Sequence, residues 1–310
     1  DEAHHIMSRI CGICAVSHTC ASLKAIESAM GMKISRQSTL LRKLAFYGEN
    51  LQSHLLHLFF LVFPDFFGAG SIAPLINTHP KLVRTGLNLK RLANSISAAV
   101  GGRHIHPISL FPGGVVYIPK AQQLKRLKNE LTESFEGLEY TLAFMKDIPL
   151  PQLKKPREFI SLKTRGELAI YDGVPFSSKK YSMRPEAYTK KVKEYVVPHS
   201  TAKRAKTSKG AFMVGALARL NNNFNQLNKK ALAAAKMAGL KPPFDNPFLN
   251  NMAQLVECFH LTEEAVSVID ELLDGKLNME PLGRQRRYGR GIGIVEAPRG
   301  TLYHDYTINK

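Results

Sequence analysis

The sequence predicts a mainly α-helical fold with a minor β part, in which the helices pack around a buried site. Several long segments repeat apolar residues at steps of three and four, which is the spacing of one face of an amphipathic helix. Proline and glycine stand at the ends of these segments, where helices start or stop. Shorter stretches typical of strands occur only in the middle and at the end of the chain. This pattern favours helical layers around one core.

The first half of the chain is predicted to form four helices. Leucines recur at helical spacing after Ser35, and Pro64 is expected to end that helix because proline lacks a backbone N–H. Gly31 and the Gly101-Gly102 pair are plausible stops for the helices before them. The predicted helices cover residues 12–31, 35–63, 81–100 and 121–146.

The second half is more mixed. Prolines and short β-like pieces at 159–162 and 167–171 predict a small β-containing insertion at approximately 149–200. Two further helices fit residues 218–238 and 247–273, and two strands joined at Pro298-Arg299-Gly300 fit residues 291–306. There is no internal repeat, and all residues from 1 to 310 are assigned to a single domain.

The chain carries a formal net charge of +18, which would suit a nucleic acid, an anionic membrane surface or an acidic partner protein. Its basic clusters have few aromatic neighbours, so the stacking surface typical of nucleic-acid binding is not indicated. The strongest apolar run, residues 55–63, is too short to span a bilayer. A solvated face or a docking surface for a partner subunit is the favoured interpretation, and neither nucleic acid nor a membrane is an expected partner.

The cysteines give the strongest chemical signal. Three of the four fall within ten residues, which favours a metal or redox role in a reducing compartment, and we expect a cytoplasmic protein. Steps of three and four residues bring Cys11, Cys14 and His18 to one face of a helix. A zinc finger would need a second ligand pair nearby, and a thioredoxin-type dithiol would need a βαβ setting; neither is visible. A metal site is favoured, with a redox dithiol and a structural accident left open.

Other candidate residues have simpler interpretations beside the functional ones. Arg299, in a predicted turn, is either an exposed turn arginine or a permanent positive charge over an active site. His54 and His57 are spaced as a possible ligand pair, but histidines in an apolar stretch are more often part of the core. His106 precedes a proline, which indicates a rigid turn. The glycines at 289–293 do not open a helix, so a phosphate-binding loop is not favoured.

Taken together, these segments resemble the large subunit of the nickel–iron (NiFe) hydrogenases. The N-terminal signature of that family is R-x-C-G-x-C-x-x-x-H, and the match is complete at Arg9, Cys11, Gly12, Cys14 and His18. Further similar motifs follow in family order at residues 52–57, 101–107, 112–114, 198–203, 214–221 and 296–300. The resemblance covers nearly the whole chain.

The resemblance implies a set of site residues. Cys11 would be a terminal thiolate on nickel, and Cys14 would bridge nickel to an iron that carries carbon monoxide and cyanide. His18 would lie near the bridging sulfur, and Arg299 would lie above the open coordination site. Soft thiolates suit a redox-active late metal, and a guanidinium can stabilise charge that develops when H2 splits. Four more residues in the matching motifs are expected around that site: Arg9, Ser53, His106 and Pro298.

The chain also departs from the family pattern. The C-terminal D-P-C-x-x-C-x-x-H segment, which supplies the other two cysteines, and the N-terminal E-G-H element do not occur. We therefore expect a fragment of a longer protein, and residues 1–310 alone should bind no stoichiometric nickel and show no H2 activity. Ser53 replaces an aspartate typical of respiratory uptake enzymes, which points to the cytoplasmic bidirectional branch with coenzyme- or viologen-reducing members.

The resemblance implies the reaction H2 ⇌ 2H+ + 2e−. Electrons would pass to an Fe–S small subunit, with further electron-transfer subunits beyond it, because four cysteines are too few to hold clusters as well. One alternative is an energy-converting hydrogenase or the related quinone-handling subunit of complex I, which lacks the nickel thiolates. An alternative of another class is a basic zinc- or nucleic-acid-binding module.

Overall fold

The computed structural model describes residues 2–154 and 157–310. Lys155 and Pro156, which belong to the predicted β-containing insertion, lie outside the described residues, as does Asp1. The mainly helical class is confirmed, and strands form a minor part. Among the residues that the structure describes, no helix combines the length and the apolar character needed to cross a membrane.

The helices contain about half of the described residues, and they are numbered in chain order. Short 3-10 turns precede or follow some of them, at Pro185–Ala187, Phe224–Gln226 and Pro247–Leu249. The helices are α1 (Ala3–Ser8), α2 (Ala15–Met30), α3 (Arg36–His57), α4 (Phe63–Phe66), α5 (Leu75–Thr78), α6 (Pro80–Gly101), α7 (Ala121–Met145), α8 (Tyr188–Lys191), α9 (Ala216–Asn223), α10 (Lys229–Met237) and α11 (Asn250–Asp274).

The core forms where the long helices pack side by side. Helix α3 lies against α6 and α11, and α11 also packs on α7. Ser35 caps α3 by accepting a hydrogen bond from the Ser38 amide at 3.0 Å. Gly31 and Gly102 end α2 and α6 in the left-handed conformation that glycine adopts without strain, as the sequence predicts.

The structure corrects the predicted end of the second long helix. Pro64 does not end the helical segment, because it lies within α4. A π-helical turn at Leu58–Val62 separates α3 from α4, and Pro64 then falls in the first turn of the new helix. Proline is tolerated there because the N–H groups of a first turn have no partner within their own helix.

The strands form four small sheets. The arginine turn predicted at the end of the chain is confirmed, because β9 and β10 pair antiparallel, with Ala297 opposite Gly300. The strands are β1 (Leu110–Phe111), β2 (Gly114–Val115), β3 (Glu158–Lys163), β4 (Val174–Ser177), β5 (Tyr181–Ser182), β6 (Lys193–Val197), β7 (Ser200–Lys206), β8 (Phe212–Met213), β9 (Gly289–Ala297) and β10 (Gly300–Ile308). The sheets have the orders β1-β2, β10-β9, β5-β4-β3-β8 and β6-β7.

Two other elements differ between the prediction and the structure. Residues 167–171 form a buried loop instead of a strand, and β4 takes the place beside β3. The predicted helix at 218–238 is two helices, α9 and α10, and Asn228 caps the second by accepting from the Ala231 amide. Strands β3 to β8 lie between residues 158 and 213, whereas the predicted insertion ends at about residue 200. The single domain and the boundaries of the insertion stay predictions.

Strand β9 packs directly along α2, the helix that follows the cysteine motif. Glycine at positions 291 and 293 permits this contact. A Cβ at Gly291 would meet the Ala25 carbonyl and lie 2.9 Å from the Ala29 Cα, and a Cβ at Gly293 would meet the Ala21 carbonyl and lie 2.6 Å from the Ala25 amide. The hairpin that ends in Arg299 is thereby held close to α2.

We therefore expect Gly293→Ala to destabilise the protein. Helix and strand would have to separate, and overpacking of this kind costs about 1–3 kcal/mol of unfolding free energy. Urea unfolding of the purified protein measures the loss. Gly70→Ala is the matched control, because a Cβ at Gly70 meets nothing within 4 Å. An equal unfolding free energy for the two variants would contradict the close approach.

Candidate metal centre

The two sulfurs of the cysteine motif lie together at the start of α2. Cys14 occupies the N-cap position, and the Cys14 amide donates to the Cys11 Sγ at 3.3 Å. The Ile13 amide donates to the same sulfur at 3.4 Å. Cys14 is buried and Cys11 is partly exposed, so the pair lies at the edge of the core. That the core encloses a buried metal site stays a prediction.

Arg299 joins this pair from the far end of the chain. It lies in the two-residue turn between β9 and β10. Its Nη2 donates to the Cys11 Sγ at 3.3 Å and to the Cys14 Sγ at 3.2 Å. The structure therefore brings together the three residues that the sequence singled out most strongly.

The two thiols have different acidities. Burial raises the pKa of Cys11, but hydrogen bonds from Cys14, the Ile13 amide and Arg299 outweigh burial, so the pKa lies below its ordinary value. Burial, the hydrogen bond to Cys11 and the charge of Glu49 raise the pKa of Cys14 to about 12. Cys11 is thus the sulfur that ionises first, and Arg299 is placed to hold the resulting thiolate.

Glu49 is a buried residue beside the motif that the sequence analysis missed. Its carboxyl group, on α3, accepts from the Val16 amide at 2.5 Å, the Ser17 amide at 2.8 Å and the Ser17 hydroxyl. Cys14 makes no side-chain cap, so Glu49 supplies partners to the free amides at the start of α2. A glutamate among the apolar residues of a predicted helix is the feature by which the sequence could have pointed to Glu49.

We expect Glu49 to make the stability of the protein depend on pH. Burial raises the pKa of its carboxyl from 4.5 to about 8, against the opposing hydrogen bonds from Ser17 and Val16. The folded protein therefore holds this proton more tightly than the unfolded chain does. The free energy of unfolding should therefore fall as the pH rises from about 4.5 to about 8, and level off above that. Urea unfolding between pH 6 and pH 9 measures this, with Glu49→Gln as the variant that cannot titrate; identical pH profiles for both proteins would contradict the assignment.

His18 lies on α2 one turn beyond Cys14. The predicted single helical face for Cys11, Cys14 and His18 is wrong, because Cys11 precedes the helix and Cys14 is only its N-cap. Burial and the charge of Arg299 lower its pKa. Its Nδ1 lies 3.1 Å from the Nε2 of His304 on β10, and His304 in turn pairs with the Tyr306 hydroxyl. No local sequence pattern predicts this histidine pair, because the two residues are 286 positions apart in the chain.

Ser53 and Pro298 line the same small cavity as Arg299. The cavity has a volume of about 250 Å³, and most of its wall is apolar. Its lining consists of Ile13, Ser53, Leu56, His57, Leu61, Met213, Val214, Gly215, Ala216, Asn250, Gln254, Pro298 and Arg299. An uncharged small molecule that enters this space would meet the guanidinium at its wall.

Two other predicted site residues, Arg9 and His106, neither line this cavity nor appear among the hydrogen-bond partners of the two sulfurs. Arg9 is exposed at the end of α1, and none of the polar side-chain contacts found among the described residues involves it. The Nδ1 of His106 contacts the Ser8 carbonyl oxygen at 2.9 Å, and its backbone is left-handed, with φ of 52°. His106 thus connects its loop to α1, in agreement with the predicted rigid turn.

The interpretation of His54 as a core histidine is confirmed. The residue is fully buried, and its Nε2 lies 2.8 Å from the Glu257 carboxylate. Burial lowers its pKa, so the neutral ring donates to that carboxylate. His57 faces the cavity, with its Nδ1 2.7 Å from the Gln254 side-chain oxygen. The two histidines therefore have different partners and do not form a ligand pair.

The thiol pair fits part of a metal site. Two adjacent thiols are the soft donors that a late transition metal prefers. Across residues 2–154 and 157–310, no group of three or more His, Cys, Asp or Glu side chains is arranged to hold a metal ion. Cys11 and Cys14 can thus supply two ligands of a larger set.

Comparisons with known proteins agree with this chemistry. A family model described as nickel-dependent hydrogenase matches residues 1–77. The chain is 34% identical to the alpha subunit of sulfhydrogenase 1 of Pyrococcus furiosus over 309 residues, which are 98% of this chain and 72% of that protein. It is 26% identical to the beta subunit of the NAD-reducing hydrogenase HoxS of Cupriavidus necator over 350 residues, covering 98% of this chain and 71% of the relative.

A solved structure shares the fold across almost the whole chain. The NAD+-reducing NiFe hydrogenase in its H2-reduced state superimposes with a TM-score of 0.86 at 27% identity, covering 99% of this chain and 74% of the other. The region covered includes both the thiol pair at the start of α2 and the arginine turn. The chain belongs to the family of nickel-dependent hydrogenases, as a large (alpha) subunit.

Proposed function

We propose that this chain supplies two of the thiolate ligands of a nickel–iron site, with Cys11 as a terminal thiolate on nickel and Cys14 as a thiolate that bridges nickel and iron. As a nickel-dependent hydrogenase large subunit, the chain is part of an oxidoreductase that acts on H2. The observation that carries the residue assignment is the arrangement of both sulfurs around one guanidinium, 3.3 and 3.2 Å from the Arg299 Nη2. The remaining ligands, including carbon monoxide and cyanide on iron, are expected from the family resemblance.

The nickel–iron group, when bound, supplies the centre at which H2 is split heterolytically. The residues of this chain hold the charge around that centre. Arg299 keeps a permanent positive charge beside two sulfurs, which favours their thiolate forms as ligands. His18, one turn along α2 from Cys14, is the imidazole expected beside the site. Its Nδ1 lies 3.1 Å from the Nε2 of His304, so its own Nε2 is left to interact with the site.

The cavity beside Arg299 suits a small, uncharged substrate. Its volume of about 250 Å³ and its apolar wall favour a molecule such as H2 over a charged one. We propose that Ser53 and Pro298 shape the end of this cavity next to the guanidinium. Because position 53 is a serine, that position provides no carboxylate to form an ion pair with Arg299.

The chain works with at least one partner subunit, because its relatives are named as alpha subunits of hydrogenases. We propose that this partner is an Fe–S small subunit that carries the electrons away, followed by further electron-transfer subunits. Four cysteines in the chain are too few for both the metal site and Fe–S clusters. We also propose membership of the cytoplasmic bidirectional branch, since one relative is named as part of an NAD-reducing hydrogenase.

Metal analysis of the purified complex tests the proposed site. Nickel and iron in equal amounts per large subunit, together with H2-dependent reduction of a viologen dye, are the expected results. Zinc as the only bound metal would contradict the assignment of Cys11 and Cys14. Nickel that stays bound after both cysteines are replaced would contradict it as well.

A further inference from the structure

A second arginine, Arg219, holds the arginine turn in place through hydrogen bonds to its backbone. Arg219, on α9, is fully buried, and all five of its N–H donors have acceptors. Nε and Nη2 donate to the two oxygens of Glu257, each at 2.6 Å. The remaining three donors reach the end of β9: the Glu296 carboxylate at 3.1 Å, the Ala297 carbonyl at 3.0 Å and the Pro298 carbonyl at 3.1 Å.

These three acceptors are the residues that immediately precede Arg299. Arg219 therefore holds the backbone from which the Arg299 side chain starts. Glu257, on α11, also accepts from His54 on α3, so the guanidinium of Arg219 is itself anchored to two core helices. A planar guanidinium can satisfy these acceptors at once, whereas a lysine offers three donors from one point.

The other side of the turn is restrained as well. The Glu296 carboxylate accepts from the Leu162 amide at 2.8 Å and from the Thr301 hydroxyl at 2.6 Å. Arg299, in contrast, has no carboxylate partner among the described residues, and its hydrogen bonds there are those to the two sulfurs. Apart from these two contacts, the position of its side chain depends on the backbone of the turn.

We propose that Arg219 is a positioning residue for Arg299: it fixes the turn so that the Arg299 guanidinium faces both sulfurs. This inference rests on the proposed role of Arg299 at the metal site. Displacement of a reacting-site group by about 1 Å can cost about 100-fold in rate. When the hydrogen bonds from Arg219 to the Ala297 and Pro298 carbonyls are lost, the turn is expected to shift and to displace the Arg299 guanidinium in this way.

Arg42 provides a matched control. It is the other large, fully buried arginine, and it also makes a two-point contact with a glutamate, Glu27, at 2.6 and 3.0 Å. It donates to two carbonyls of a hairpin, those of Phe111 and Gly114. That hairpin contributes no residue to the sulfur pair. Arg42→Lys thus has a comparable structural cost without the link to Arg299.

The test is a double-mutant cycle in the assembled hydrogenase. Arg219→Lys, Arg299→Lys and the double variant are compared for turnover per bound nickel, KM for H2, melting temperature and the nickel paramagnetic resonance spectrum. We expect Arg219→Lys to keep its nickel and lose turnover by about 10- to 100-fold. In the Arg299→Lys background the same change should alter turnover by less than about 2-fold, because residues that act through one another are not additive. Arg42→Lys should lower the melting temperature and leave turnover per nickel unchanged.

Each contrary outcome is distinct. Normal turnover in Arg219→Lys, a full further loss in the Arg299→Lys background, or an equal loss in Arg42→Lys would each overturn the positioning role. Normal turnover in Arg299→Lys would overturn the proposed role of Arg299 itself. If Arg219→Lys does not accumulate in metal-bound form, Glu257→Gln replaces it in the cycle under the same criteria, since it removes one charge from the bidentate contact.

Discussion

Cys14→Ser in the assembled hydrogenase is expected to yield a large subunit that lacks nickel and has no measurable H2 turnover. A serine oxygen is a hard donor that holds its proton far more tightly than a thiol does, so it replaces a soft thiolate poorly. Because Cys14 would join two metals, its loss affects both. Cys11→Ser should have the same result, since Cys11 would likewise be a thiolate ligand of nickel.

Nickel content after extensive dialysis and H2-dependent dye reduction measure this effect. Cys20→Ser is the matched control, because Cys20 is a buried cysteine on the same helix and takes the same substitution. It should lose some stability and keep its nickel. Near-normal H2 uptake in Cys14→Ser would rule out a bridging role for that residue.

Arg299→Lys is expected to retain nickel while turnover falls by about 100- to 1000-fold, the range found when a preorganised donor is removed. Lysine preserves the charge, but its ammonium lies on a flexible chain and lacks the rigid guanidinium plane that holds Nη2 at 3.3 and 3.2 Å from the two sulfurs. The reaction develops charge beside these sulfurs, so a displaced cation stabilises it less well. Loss of turnover without loss of metal would separate this role from assembly.

Turnover per bound nickel is the quantity to compare. Arg290→Lys is the control on the same hairpin, since Arg290 is exposed and pairs with Asp305 across the two strands. It should leave turnover unchanged. A fully metallated Arg299→Lys protein with turnover close to that of the wild type would return Arg299 to the simpler interpretation of a turn arginine.

The sequence determined those features that depend on neighbours along the chain. The glycines at 31 and 102 end helices because they adopt the left-handed conformation, and the Pro298-Arg299 turn joins two strands as expected. Cys11 and Cys14 lie together through a local contact, the hydrogen bond from the Cys14 amide to the Cys11 sulfur, although both precede α2 and do not share a helical face. Family membership also followed from motifs read in order along the sequence.

Only the tertiary structure decided which distant residues meet at the thiol pair. Arg299 reaches sulfurs that are 288 and 285 residues away, and it does so because glycines let β9 lie against α2. Glu49 caps a helix other than its own, and Arg219 holds the arginine turn. Spacing along the chain carries no information about such contacts, because they arise when buried polar groups must find partners across packed elements.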